Sequence, residues 1–66
     1  MIKERINERM NTLQAMMESQ VHVSDPARVE AQIAAISPYW AHLSDEDKDY
    51  VHCARWAVEK QEEWNV

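Results

Sequence analysis

The side chains with reactive or metal-binding potential are three histidines, one cysteine and a run of carboxylates. No two of His22, His42 and His52 are spaced to share a helix face at i, i+3 or i+4, and neither Cys-x-x-Cys nor His-Glu-x-x-His occurs. His52 and Cys53 are adjacent, so on a regular helix they diverge by about 100° and could not ligate one ion without help from elsewhere, such as a second subunit. A Cys53 nucleophile would need a base and electropositive surroundings. Its helical neighbours would be Asp49, whose charge raises a thiol pKa, Trp56, and Lys60 two turns away. The pattern therefore predicts a buried, inert thiol. Asp45, Glu46, Asp47 and Asp49 could suggest a cation site, but they lack the glycine-centred loop of an EF-hand, and helix capping accounts for their position. No catalytic, cofactor-binding or metal-ligating set emerges, and the expectation is a protein that is not an enzyme and carries no cofactor.

The elements that would position these residues are bounded by size. Sixty-six residues form one domain, residues 1–66. A chain of this length buries only about 60% of the surface its unfolded form exposes, and such scaffolds commonly gain stability by oligomerising. An intrachain disulfide is excluded because Cys53 is the only cysteine. A lone thiol, a start that is charged at once (Met1-Ile2-Lys3-Glu4-Arg5) and the absence of an apolar run near the roughly 20 residues of a membrane span predict a cytoplasmic protein with no leader and no membrane contact. There is no glycine, which argues against hairpin-rich folds and against every phosphate-cradling loop. The net charge is −5. Residues 1–33 carry four basic and five acidic side chains, residues 34–66 three and seven. That balance works against direct nucleic-acid binding, which needs a basic patch, and against adsorption to an anionic membrane.

Apolar periodicity predicts three helices. Over about residues 2–20, Ile2, Ile6, Met10, Leu13 and Met17 are spaced 4, 4, 3 and 4 and fall within an arc of about 80°, which Met16 widens. This methionine-rich stripe reads either as core or as a seam against another helix. A second helix is expected at 26–36, with Ser24 or Asp25 as cap and Pro26 as first residue, burying Val29, Ile33 and Ile36 and ending before Pro38. Residues 38–43 are expected to make a helical turn capped by Ser37, with Tyr39 and Trp40 closing one end of the core. A third helix at 45–64 opens with Ser44 as N-cap and Asp47 at the third position, a variant of the capping box. The expected fold is an all-α bundle of three helices with the two long ones antiparallel and the middle one across them.

On the third helix, with Tyr50 set at 0°, Val51, Ala54, Ala57, Val58, Gln61 and Trp64 lie between about −40° and 100°, the predicted buried face. Trp56 lies near 240°, among His52, Glu59, Lys60 and Glu63. Two readings follow. Trp56 is core if the helix is central and packed on two sides, or it is an exposed anchor with a polar rim, the usual composition of a binding hot spot.

The stretch from Trp40 to Trp64, with its aromatic–Leu–Ser–acidic cap (Trp40, Leu43, Ser44, Asp45), Asp49-Tyr50-Val51 and the Glu63-Trp64 ending, resembles the C-terminal half of small uncharacterised proteins encoded by tailed phages of marine cyanobacteria. The resemblance covers about 25 residues. It implies action in an infected bacterial cytoplasm and transfers no activity. The expectation is a non-enzymatic helical interaction module, a homodimer that also binds a host or phage protein through Met10, Met16, Met17, His52, Trp56, Lys60 and Glu63. The alternative is an acidic inhibitor that occupies the nucleic-acid site of a basic protein.

Overall fold

Ser44 gives the chain its best-defined helix start. Its Oγ accepts from the Asp47 amide at 3.1 Å, its carbonyl accepts from the Lys48 amide at 2.9 Å, and three acids follow in the first turn. In the computed structural model, which describes residues 1–64, this helix is the last of four: α1 (Ile2–Glu18), α2 (Val21–Ser24), α3 (Pro26–Ile36), a 3₁₀ segment (Ser37–His42) and α4 (Asp45–Trp64). No strand occurs among the described residues, and the helices pack together as the all-α bundle the periodicity predicts.

The connections depart from expectation in instructive ways. The first helix stops at Glu18, not Gln20, because Gln20 adopts a left-handed conformation with φ 59° and ψ 34°. A glycine would take this role in most helix ends, and this chain has none. The Ser19 and Gln20 amides close the end by donating to Ala15 and Met17 carbonyls at 3.0 and 3.1 Å. Val21–Ser24 then makes a single helical turn, closed by the Asp25 amide on the Val21 carbonyl at 2.7 Å. Asp25 holds the N-cap position of α3 without a side-chain bond, and Pro26 is its first residue as expected. Ser37 is not the cap of the following turn. Its Oγ donates back to the Ile33 carbonyl at 3.3 Å, and its backbone stays helical (φ −50°, ψ −40°) although Pro38 follows. The chain tightens from α to 3₁₀ here instead of breaking, because proline is tolerated in a first turn where its missing N–H has no partner to lose.

The core is built from one stripe of each long element: Ile6, Met10 and Leu13 from α1, Val29, Ile33 and Ile36 from α3, Leu43, and Val51, Ala54 and Val58 from α4. Tyr39 and Trp40 close it as expected, half-buried along with Met16, Met17, Val21 and Tyr50. The Gln32 amide Nε2 donates to the Arg9 carbonyl at 3.0 Å, the Arg9 guanidinium lies 5.9 Å from the Tyr39 ring centroid and Arg5 lies beside the same phenol, so the first half of α1 meets the second half of α3 and the 3₁₀ segment that follows it. Glu30 lies beside Glu62, and Ser37 lines the same groove as Arg55, so α3 also runs against α4. The two long helices, expected to oppose one another, are each antiparallel to α3 and therefore share a direction. Two short connections reverse the chain twice, which leaves the first and third long elements co-directional.

Candidate interaction surface

The buried residues of α4, Val51, Ala54 and Val58, centre its inner face at about 70° on the wheel used above. Trp56, near 240°, points almost directly away from that centre. It is 62% exposed. Of the two sequence readings, exposure holds and core does not. The Lys60 Nζ sits over the Trp56 ring, 5.9 Å from its centroid, and donates to Glu63 Oε2 at 3.3 Å, so a carboxylate helps hold the cation at the indole. The Glu63 side chain is mostly open to solvent and that of Lys60 is 42% exposed, so the ion pair itself contributes little to folding.

His52 stands one turn before Trp56 and is exposed, but its ring meets the edge of Trp40 at 5.2 Å and 76°, which ties α4 to the 3₁₀ segment. The expected contacts His52, Trp56, Lys60 and Glu63 thus come together on the outer side of α4. The methionines do not join them. Met10 is 4% exposed and belongs to the core, and Met16 and Met17 are half-buried against it. The stripe of α1 faces inward, so Met10 offers no surface to a partner.

Two further expectations are corrected. Cys53 is exposed, not buried, because it lies about 130° from the middle of the inner face. Trp64 is 77% exposed, because it lies about 110° from that middle, and the earlier wheel had centred the buried arc too close to Tyr50. With Ile2 half exposed, Trp56 and Trp64 account for the largest apolar side chains left in solvent.

Elsewhere the surface is charged. Between α3 and α4 an open groove is floored by Ile33, Ala34 and Val58 and rimmed by Glu30, Arg55 and Glu59. A hydrogen bond with Glu30, then partial desolvation and the nearby charges of Glu30 and Glu59, raise the Glu62 carboxyl above its usual range. At the other end of α3 the Arg5 guanidinium beside Tyr39 holds its phenol below the usual value, against the opposing effect of desolvation, with Arg9 assisting. Tyr50 shifts the other way, raised by burial and then by the Glu18 charge. Sequence spacing gave no sign of the Trp40–His52, Arg9–Tyr39 or Glu30–Glu62 contacts, all of which join different elements. Among the described residues no group of three or more His, Cys, Asp or Glu side chains converges as metal ligands would, and no helix is long and apolar enough to cross a membrane. His22 is half-buried, and its Nδ1 makes no hydrogen bond. Comparison with protein-family models, curated proteins and solved structures finds no match to this chain.

Proposed function

We propose that this chain is a non-enzymatic helical interaction module that pairs with a second copy of itself and docks a protein partner, with the outer face of α4 as the contact. The observation that carries the reading is the exposed Trp56 indole, set opposite the core and rimmed by His52, Lys60 and Glu63. A tryptophan surrounded by polar side chains is the usual centre of an interface hot spot, and a domain of this size gains most from covering such a residue with another chain. The setting implied by the phage resemblance is a bacterial cytoplasm in which the partner is a host or phage protein.

Sedimentation equilibrium from micromolar to millimolar chain tests the self-association. A parallel readout is collisional quenching of Trp56 in a variant with Trp40→Phe and Trp64→Phe. The expected result is a dimer that forms with rising concentration and quenching that falls with it. A monomer at millimolar concentration, or an indole equally protected at every dilution, contradicts the reading.

A second function is supported by the exposure of Asp45, Glu46, Asp49, Glu59, Glu62 and Glu63: occupation of the nucleic-acid site of a basic protein. It predicts a complex that dissociates as salt rises.

A further inference from the structure

Four residues of α4 stand at positions 49, 53, 56 and 60, a spacing of 4, 3 and 4. That is the spacing of a coiled-coil seam, and it places Asp49, Cys53, Trp56 and Lys60 within about 60° of one another on the side of α4 that faces away from the core. Asp49, Cys53 and Trp56 are exposed, and the Lys60 side chain is 42% exposed. The seam is unpartnered, since α3 and α2 pack on the inner face of the helix.

The spacing is palindromic, and so is the chemistry. Read from either end it runs charge, small or large apolar group, apolar group, opposite charge. We propose that the second copy docks here with its α4 antiparallel about a two-fold axis between Ala54 and Arg55. Asp49 then faces Lys60 of the second copy, Cys53 lies against Trp56 of the second copy, and the symmetry repeats both pairs. A two-fold contact must be self-complementary, each residue meeting its counterpart twice. This stripe meets that condition because its two charges are opposite in sign and equidistant from the centre. A parallel pairing in register would put Asp49 on Asp49 and Lys60 on Lys60, with like charges opposed at both ends. The indole covers the thiol and the His52 edge of the other helix, and Lys60 exchanges its exposed bond to Glu63 for one to Asp49 of the second copy at the rim of a covered indole.

This geometry rests on the self-association reading above, and charge reversal separates the two. The full chain is compared with Asp49→Lys, Lys60→Glu and the double variant by sedimentation equilibrium under reducing conditions. Both substitutions lie outside the core, and helical circular dichroism checks that the three variants keep the fold. Each single reversal turns two attractive contacts into two repulsive ones and is expected to weaken the dimer about tenfold, and the double reversal to restore it to within about threefold of the parent. A parent dimer indifferent to the single reversals, or one that the double variant fails to restore, overturns the antiparallel seam while leaving self-association standing. A parent that stays monomeric at millimolar concentration overturns both.

Discussion

Replacing Trp56 with alanine separates a binding residue from a folding residue. A fully covered tryptophan buries about 150–250 Å². With 62% of Trp56 in solvent, covering it removes roughly 90–150 Å² more from water. At about 25 cal/mol per Å² that is about 2–4 kcal/mol for each copy, within the range of measured hot spots. One copy alone then accounts for a dissociation constant at least about 30-fold larger in the variant. The monomer loses much less. Its indole has the Lys60 contact and partial cover by its own helix, worth about 1 kcal/mol, whereas truncating a buried tryptophan costs about 3–5 kcal/mol. The assays are sedimentation equilibrium for association and urea unfolding of the dilute chain for stability. The reasoning fails if the dissociation constant moves by less than about threefold, or if the dilute monomer loses about 3 kcal/mol or more.

Other perturbations probe the scaffold. Leu13 is fully buried, so Leu13→Ala should remove about 3–5 kcal/mol from a domain whose total is on the order of 3–10 kcal/mol, lowering the urea midpoint and leaving a partly unfolded chain near 37 °C. Ser44→Ala deletes the 3.1 Å cap and should cost about 1 kcal/mol, a fall of about 4–8 °C in Tm, while Ser44→Asp should keep most of it. The Glu62 carboxyl is raised by its hydrogen bond to Glu30, so its contribution is present at low pH, below the unfolded carboxylate pKa, and is lost as pH rises through the higher folded value. Glu62→Gln should therefore flatten the dependence of stability on pH just above the ordinary carboxylate range, measured by thermal melts across that window.

The helices were legible because their punctuation is local. Pro26 opens α3 and Pro38 follows two residues after its last residue, where the chain tightens into the 3₁₀ segment, and Ser44 with Asp47 fixes the start of α4. The end of α1 was not, because nothing in a glutamine announces a left-handed backbone. Exposure was legible only in part. A wheel gives each residue an azimuth but not the middle of the buried arc, which depends on where α3 and α2 lie. Trp56 lay far from the predicted face, but that left it open whether a second packed side covered it, and only the packed helices decide for exposure, whereas Trp64 and Cys53 fell near the edges and were placed on the wrong side. Met10 shows the converse. Its stripe was correctly traced on α1, but whether a stripe faces its own bundle or another chain is decided by the second helix it meets.

The eleven-residue α3 is the wall that α1 and α4 have in common, and α2 and the 3₁₀ segment lean on it as well. Opening it would uncover both halves of the core at once, so its amides should exchange with deuterium only through global unfolding. The last turn of α4, with Trp64 in solvent and acids at its negative end, can open alone. That arrangement predicts a single cooperative unit pinned at its middle, not a pair of hairpins that could survive separation, with the first protease cut expected in the last turn of α4.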